Sequence, residues 1–167
     1  KRSGADSDKY PAMKTFQDAA LAGVPLFLQR NINLCGYTTP TPVQKNAIPI
    51  AVAGLDVMTC AQTGSGKTAA FLLPLLARKL KVRPVDQKFG EDDSACLPIA
   101  LVMAPTRELA QQIHGEATKF CNRSPFCTVV VYGGSPLKPQ LLELSKGTDL
   151  IVATPGRLID MMERGIV

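Results

Sequence analysis

Four stretches of the chain share one pattern: a short apolar run enters a turn rich in Gly, Pro or Thr, and the turn leads into a segment with helical spacing. The apolar runs cover residues 55–60, 99–104, 127–132 and 150–153. Their length and the turn residues that bound them are typical of buried β-strands. We therefore predict four strands, each followed by a turn and a helix.

The segments after the turns carry apolar residues three and four positions apart, as helices packed on one face do. After the second strand these are Leu109, Ile113, Ala117 and Phe120, and after the last they are Leu158, Ile159 and Met162. The first helix, from about residue 67 to residue 80, contains Pro74, where we expect a kink and not a break because proline removes one hydrogen bond. Ser135 with Pro136 is expected to start a helix, and Gly147 and Gly165 to end one each.

Strands that alternate with helices, and that are apolar almost throughout, predict a parallel sheet covered on both faces. The fold class is therefore α/β, doubly wound. Upstream, residues 15–34 and 44–53 are expected to be helical, with a turn-rich stretch over residues 36–43 between them. The polar segment 83–98 is expected to be an exposed, mobile loop.

Composition supports one soluble globular domain, since hydrophobic residues make up 46% of the 167 and charged residues 20%. No apolar run approaches the roughly 18 residues that span a bilayer, and the polar N-terminus resembles no secretory signal, so we expect a cytosolic or nuclear protein without a membrane partner. The five cysteines show no zinc spacing, and we expect them to be reduced and mostly buried. The net charge of +5 permits an anionic partner.

Residues 61–68, Ala-Gln-Thr-Gly-Ser-Gly-Lys-Thr, occupy the turn between the first predicted strand and its helix. This is the place and the composition of a phosphate-binding loop, although Ala61 stands where the strict pattern has glycine. Gly64 and Gly66 allow backbone N–H groups to turn towards phosphate, Lys67 can reach the β and γ phosphates, and Thr68 can ligate Mg²⁺.

The turns after the other three strands are expected to lie at one edge of the sheet, where ligands bind in parallel α/β folds. Arg107 and Arg157 follow two of those strands, and guanidinium groups suit the phosphate oxygens of a nucleic acid. Each turn also has a purely structural interpretation. Arg107 beside Glu108 could form a surface ion pair, and Thr154 to Gly156 could be only the entry to a helix.

Taken in order, the motifs resemble those of the DEAD-box ATP-dependent RNA helicases. Gly36-Tyr37 with residues 40–44 is similar to the Q motif and residues 61–68 to motif I. Residues 105–110, Gly133-Gly134 and residues 154–157 are similar to motifs Ia, GG and Ib. The stretches 42–45, 60–63 and 131–136 look most like the Vasa and Belle subfamily.

The resemblance implies a RecA-like doubly wound domain that binds ATP with Mg²⁺ and holds RNA by its backbone. Gln44 would read the adenine edge, with Phe16 and Tyr37 at the ring. The implied ATP-binding residues are Phe16, Tyr37, Thr38, Gln44, Ala61, Gln62, Thr63, Gly64, Ser65, Gly66, Lys67 and Thr68, of which Lys67 and Thr68 are catalytic and Thr68 holds the metal through the nucleotide. The implied RNA-binding residues are Pro105, Thr106, Arg107, Gly133, Gly134, Thr154, Pro155, Gly156 and Arg157.

The implied function is RNA duplex unwinding or RNP remodelling driven by ATP. The family's Asp-Glu-Ala-Asp box and second RecA-like domain would follow Val167, so we expect the chain alone to bind nucleotide, as ATP or ADP, without turning it over. The alternative is a non-catalytic nucleotide- or RNA-binding module; a small-molecule kinase fits less well, because no Arg-bearing lid follows the first helix. We expect a polar extension over residues 1–14, a Q-motif region over 15–46 and an incomplete RecA-like domain over 47–167. We also expect the domain to be a monomer in the cytoplasm, with the nucleus and RNP granules as further locations.

Overall fold

The computed structural model describes residues 9–18, 26–82 and 96–167. The chain divides into two compact units, Lys1–Val82 and Arg83–Val167. The predicted loop over residues 83–98 lies outside the described residues as far as residue 95, and so does the part of the predicted helix 15–34 that covers residues 19–25. The domain boundaries expected from the sequence stay a prediction.

The described residues of the first unit form three helices: α1 (Leu26–Leu34), α2 (Pro42–Val52) and α3 (Lys67–Val82). Helices α2 and α3 pack against each other, and Ile48, Leu72 and Leu76 are fully buried. Helix α3 continues through Pro74, so the expectation that this proline would not break the helix is confirmed.

The start of α2 differs from the prediction by two residues, because the helix begins at Pro42 and not at Gln44. Thr41 is its N-cap and Pro42 occupies the first turn. Proline suits that position, since its missing N–H would have no partner inside the helix. The prolines of residues 36–43 therefore start the helix and do not only form a turn before it.

The prediction of a strand over residues 55–60 is wrong. These residues have no strand assignment in the structure, and Met58 is 92% exposed. An apolar run expresses a preference for burial, but a strand also requires a neighbour that takes up its backbone hydrogen bonds. The strands that the described residues form all belong to the second unit.

The second unit alternates strands and helices: β1 (Ala100–Met103), α4 (Arg107–Phe120), β2 (Thr128–Val131), α5 (Leu137–Ser145), β3 (Leu150–Ala153) and α6 (Pro155–Glu163). The strands form a parallel sheet in the order β1-β3-β2. Met103 and Val131 both pair with Ala153, so all three strands end at the same level. The predicted α/β class with a parallel sheet is confirmed, and the three turns do share one edge.

Helices cover both faces of this sheet. On one face Val129, Val131, Ile151 and Ala153 form a core with residues of α5 and α6, namely Leu144, Leu158 and Met161. The side chain of Thr128 is on the opposite face, where its hydroxyl meets that of Thr118 on α4 at 3.2 Å. All four residues of β3 are buried, as expected for a central strand with helices on both sides.

The predicted face of α4 is buried at Ile113, Ala117 and Phe120 and differs only at its first position, whereas the face of α6 is rotated. Leu109 is 37% exposed in α4, where Ala110 is buried instead. Ile159 and Met162 are more than half exposed in α6, and Met161 is buried. A short apolar pattern fits more than one face, and the packing partners decide between them.

The helix ends were predicted with mixed success. Gly147 and Gly165 each follow the end of a helix with φ of +86° and +66°, which confirms their roles. Ser135 does not cap α5; Pro136 is the N-cap residue and its side chain makes no capping hydrogen bond. The Ser135 carbonyl instead accepts a hydrogen bond from the Arg157 side chain.

The cysteines are less buried than expected. Cys121 is buried, Cys35 and Cys96 are half-buried, and Cys60 and Cys127 are exposed, and none of the five forms a disulfide. Across the described residues, no helix combines the length and the apolar character that a membrane crossing requires.

Candidate functional site

Phe16 and Tyr37, the two aromatic residues predicted to meet a base, lie against each other. Their ring centroids are 5.8 Å apart and their planes are nearly perpendicular, an edge-to-face arrangement that aromatic pairs favour. Phe16 is buried, Tyr37 is half-buried, and Thr38 beside it is exposed. The structure therefore brings together two residues that are 21 positions apart in the sequence.

The end of α1 positions Tyr37. The N–H of Gly36 donates to the Asn33 carbonyl and the N–H of Tyr37 donates to the Ile32 carbonyl, which is the Schellman pattern of helix termination. Gly36 has a φ of +78°, a conformation that glycine adopts without strain. This turn fixes the direction in which the chain leaves the helix and so places Tyr37.

A turn closed by Asp18 positions Phe16. The Asp18 carboxylate accepts hydrogen bonds from the Lys14 N–H, the Thr15 N–H and the Thr15 hydroxyl. These bonds, that from the Lys14 backbone first, hold the pKa of the Asp18 carboxyl below its usual value of 3.8, because they favour the charged form. Next to this turn, the Met13 N–H donates to the Lys45 carbonyl at 3.1 Å and fastens the segment to α2.

Gln44 is buried, with 1% of its surface exposed, and both ends of its amide have partners. Its Oε1 accepts a hydrogen bond from the Thr41 N–H at 2.9 Å. The backbone N–H of Gln44 donates to the Thr41 hydroxyl, and the two bonds complete a capping box. Its Nε2 donates to the Gly66 carbonyl at 3.1 Å. One side chain thus caps α2 and ties it to the predicted phosphate loop.

The loop has the backbone that its glycines predicted. Gly64 and Gly66 have φ of +76° and +86°, values that other residues rarely adopt. A Cβ on Gly66 would come within 2.5 Å of Gln44 Nε2, whereas one on Gly64 would meet nothing within 4 Å. Gly66 is therefore required twice, for its conformation and for the close approach of Gln44.

Lys67 and Ser65 supply polar groups inside this loop. The Lys67 ammonium donates to the carbonyls of Ala61 and Gln62 at 2.5 and 2.6 Å, so it lies across its own loop. The Ser65 hydroxyl is buried and has no hydrogen-bond partner among the described residues. A buried hydroxyl without a partner is costly, and a polar ligand in the loop would satisfy it.

In the second unit, Arg107 begins α4 directly after the end of β1. The Thr106 hydroxyl accepts from the Leu109 N–H at 3.3 Å and caps the helix. The Arg107 guanidinium carbon lies 4.7 Å from the centroid of the Tyr132 ring. Arg107 thus has an aromatic partner. This contact, and not a surface ion pair with Glu108, is its structural interpretation.

The turns after β2 and β3 are bonded to each other. The Gly133 N–H donates to the Thr154 hydroxyl at 3.3 Å, and that hydroxyl makes no capping bond to α6. Arg157 donates from Nη2 to the Ser135 carbonyl at 2.9 Å, and its Nε lies 3.9 Å from an Asp160 carboxylate oxygen.

Arg157 is less available than its motif suggested. Only 12% of its side chain is exposed, because the guanidinium reaches back to the turn after β2. Its Nη1 is buried and has no hydrogen-bond partner in the part of the chain that the structure describes. The structure therefore gives Arg157 a scaffolding contact and leaves one charged donor unsatisfied.

Sequence reasoning missed Gln140, a buried residue of α5 that is 8% exposed. Its Oε1 accepts from the Tyr132 N–H at 3.0 Å, and its Nε2 donates to the carbonyls of Tyr132 and Pro136 at 3.1 and 3.4 Å. Gln140 thus provides hydrogen-bond partners for the N–H and the carbonyl of Tyr132, the residue that follows β2. Nothing in the sequence distinguishes Gln140 from the other polar residues of the same stretch, Lys138 and Glu143.

The predicted site residues thus form two groups, one in each unit. Phe16 and Tyr37 meet in the first unit, and Gln44 joins Gly66 there, next to Ser65 and Lys67. In the second unit Thr106, Arg107, Gly133, Thr154 and Arg157 surround one edge of the sheet, with Pro105, Gly134, Pro155 and Gly156 in the same turns. Their common position at the phosphate-loop edge stays a prediction.

Comparisons with known proteins agree with the motifs. Residues 41–166 match the family model for the DEAD/DEAH box helicases. The chain is 49% identical over 164 residues to a DEAD-box ATP-dependent RNA helicase, 52A, of Oryza sativa subsp. japonica; the match covers 96% of the chain and 27% of that protein. The chain thus spans about a quarter of the length of this curated relative.

Two solved structures have a similar fold. The crystal structure of the RNA helicase Prp28 from Chaetomium thermophilum bound to ADP matches with a TM-score of 0.76 and 43% identity, over 93% of this chain and 36% of that one. A hypothetical ATP-dependent RNA helicase from Sulfolobus tokodaii matches with a TM-score of 0.69 and 33% identity, over 84% and 37%. These neighbours are RecA-like helicase domains, and, together with the family model that covers most of its length, they show that the chain belongs to the DEAD-box RNA helicase family.

Proposed function

We propose that the chain is the part of an ATP-dependent RNA helicase that binds the nucleotide and one side of the RNA backbone, for local unwinding of RNA duplexes or remodelling of RNPs. The observation that carries the proposal is the hydrogen bond from Gln44 Nε2 to the Gly66 carbonyl. It couples the side chain expected to read adenine to the loop expected to hold phosphates. A loop that served only as a turn would not need this connection.

The residues of the loop fit a nucleotide phosphate. The buried Ser65 hydroxyl lacks a partner in the described part of the chain, and the Lys67 ammonium lies on two carbonyls that a phosphate would replace with a stronger, charged acceptor. Lys67 would hold the phosphates and Thr68 the Mg²⁺ that accompanies them. When bound, ATP would supply a phosphoryl group for transfer to water and Mg²⁺ would neutralise charge on the phosphate oxygens, while Lys67 and Thr68 orient them.

Adenine recognition by Gln44 requires a change of partner or a second bond at the same atoms. Its Oε1 and Nε2 each already make a bond to the chain, but an amide oxygen has two lone pairs and an amide nitrogen two hydrogens. A donor and an acceptor side by side suit adenine better than guanine. Phe16 and Tyr37 would flank the base.

The sheet edge of the second unit suits an RNA backbone. Arg107 is exposed, and Gly156 lies in the first turn of α6, where backbone N–H groups have no partner within the helix. The buried Nη1 of Arg157 has no hydrogen-bond partner among the described residues. Contacts to phosphate and sugar fix the position of RNA without selecting its sequence. RNA is therefore the proposed macromolecular partner.

Relatives support further parts of the proposal. The Chaetomium neighbour is bound to ADP, and nucleotide binding by this chain would agree with that. Residues 42–45, 60–63 and 131–136 favour a Vasa- or Belle-like subfamily, and a monomeric domain acting in the cytoplasm is proposed with it. Turnover needs catalytic groups beyond these residues, so we expect the 167-residue chain to bind nucleotide and hydrolyse almost none.

The proposal can be tested by titrating the chain with ATP, ADP and GTP by calorimetry. Adenine nucleotides should bind more tightly than GTP. Lys67→Ala should weaken ATP and ADP binding while keeping the preference, since the base and phosphate contacts lie at opposite ends of the ligand.

Gln44→Glu provides the matched variant, because it keeps the acceptor for the Thr41 N–H but loses the amide donor. It should abolish the preference for adenine while α2 remains capped. Equal affinity of the unmodified chain for ATP and GTP would contradict the adenine assignment, and no binding of any nucleotide would leave RNA binding alone as the function.

A further inference from the structure

Tyr132, which none of the predicted contacts includes, lies between the turn after β2 and the start of α4. Its ring is on the α4 side of the sheet, as Thr128 is, because both have the same parity along the strand. The ring carries the Arg107 guanidinium at 4.7 Å. Its hydroxyl accepts a hydrogen bond from Gln111 Nε2 at 3.0 Å. Arg107 and Gln111 are four residues apart, on one face of α4.

The backbone of Tyr132 is fixed as well. Gln140 bonds to both its N–H and its carbonyl, and Thr154 and Arg157 hold the next residues, Gly133 and Ser135. Main chain and ring are thus held from α5, from the turn after β3 and from α4. A side chain held this firmly can restrict the rotamers of a flexible neighbour.

Arg107 is that neighbour. It is exposed, and an arginine that must be ordered on binding loses rotamer entropy. When a guanidinium stacks on an aromatic face, its N–H groups point outwards, parallel to the ring. In that direction they can donate to phosphate oxygens. The stack orders Arg107 before RNA arrives.

We propose that Tyr132 is a positioning residue for RNA binding: its ring, anchored by Gln111 and Gln140, holds the Arg107 guanidinium in the orientation that contacts an RNA phosphate. The proposal rests on the proposed function, because it takes Arg107 to be an RNA contact. It adds a residue that acts through Arg107 and itself touches no RNA.

The test is a double-mutant cycle on the chain with a fluorescently labelled oligouridine at low salt. Tyr132→Leu should weaken binding roughly two- to fivefold, the range expected for an exposed cation–π contact, and Tyr132→Phe, which keeps the ring but loses the hydrogen bond from Gln111, should weaken it less. In an Arg107→Ala background, Tyr132→Leu should have no further effect. This loss of effect is the readout that a merely structural role of Tyr132 would not produce.

A second measurement does not depend on RNA. In NMR spectra the Arg107 side-chain resonances should be shifted upfield by the ring current, keep that shift in Tyr132→Phe and lose it in Tyr132→Leu. An unshifted Arg107 in the unmodified chain would overturn the proposal even if Tyr132→Leu failed to fold.

Loss of the RNA contact and loss of the positioning role would give different results. If Arg107→Ala weakens RNA binding but Tyr132→Leu does not, or if the effects of the two substitutions simply multiply, the positioning role is wrong and the RNA contact stands. If Arg107→Ala leaves RNA affinity unchanged, the contact itself is wrong and the positioning role falls with it.

Discussion

At the scale of single residues, several side chains that the sequence predicts to bind a ligand make hydrogen bonds within the protein. Gln44 caps α2 and holds Gly66, and Arg157 holds the turn after β2. Where such a residue also has the proposed binding role, substituting it changes folding and binding together. Matched pairs of variants are needed to separate the two roles.

Gly66 and Gly64 form such a pair. Both have a positive φ, so alanine at either should lose roughly 1–2 kcal/mol to the left-handed conformation. Only at Gly66 would the new Cβ collide with Gln44. We therefore expect Gly66→Ala to lower the free energy of unfolding more than Gly64→Ala in urea melts. Equal losses would show that the approach of Gln44 to Gly66 does not restrict the loop.

At the scale of elements, the ends of strands and helices are where this chain arranges its polar groups. Gly36 terminates α1 so that Tyr37 faces Phe16, and Thr106 caps α4 so that Arg107 begins it. Gln140 of α5 takes over the backbone bonds of β2 where that strand ends. Each turn is thus fixed by a side chain from a neighbouring element.

Replacing Gln140 should show how much this arrangement contributes. Gln140→Leu keeps most of the volume but leaves the N–H and the carbonyl of Tyr132 without their partner, at about 1–3 kcal/mol for each buried group left unsatisfied. Thermal or urea unfolding measures the loss. Leu142→Ala on the same helix, at a side chain 61% exposed, is the control and should change the unfolding free energy little. A Gln140 variant as stable as the control would contradict a stabilising role for the hydrogen bonds of Gln140.

At the scale of the whole molecule, buried groups make stability depend on pH. Burial, reinforced by the nearby charges of Asp149 and Cys127, raises the pKa of the Cys121 thiol from 9.0 to about 12. The unfolded chain therefore loses this proton near pH 9, while the folded chain retains it until about pH 12. Between these values the unfolded state binds fewer protons, so the free energy of unfolding falls as pH rises.

The prediction is that Cys121 contributes a decline of up to about 1.4 kcal/mol per pH unit above pH 9, with no contribution below it. Urea melts between pH 7 and pH 11 measure it, and Cys121→Ala should flatten the decline at the cost of a small cavity. A variant whose stability falls as steeply as that of the unmodified chain would exclude Cys121 as the source.

RNA affinity is also a property of the whole molecule, since many contacts contribute to it. For single strands each phosphate contact adds about 0.7 to the slope of log affinity against log salt concentration. Arg107→Ala should reduce the slope by about that amount and leave stability unchanged, because the side chain is exposed. Arg157→Ala should reduce both the slope and the melting temperature, because it also releases the Ser135 carbonyl. A changed preference for RNA sequence with an unchanged slope would instead indicate base contacts.

The sequence by itself determined the strand–turn–helix order of the second unit, the positive φ of Gly64 and Gly66, the helix ends at Gly147 and Gly165, and the family. These follow from local chemistry: apolar periodicity, turn residues and the freedom of glycine act over a few neighbouring positions. Only the tertiary structure decided the strand order β1-β3-β2, the lack of a strand at residues 55–60, the buried face of α6, and the partners of Gln44, Tyr132, Gln140 and Arg157. Hydrogen bonds such as those from Gln44 to Gly66 or from Arg157 to Ser135 join residues 22 positions apart, and which distant groups meet is set by packing and not by local sequence.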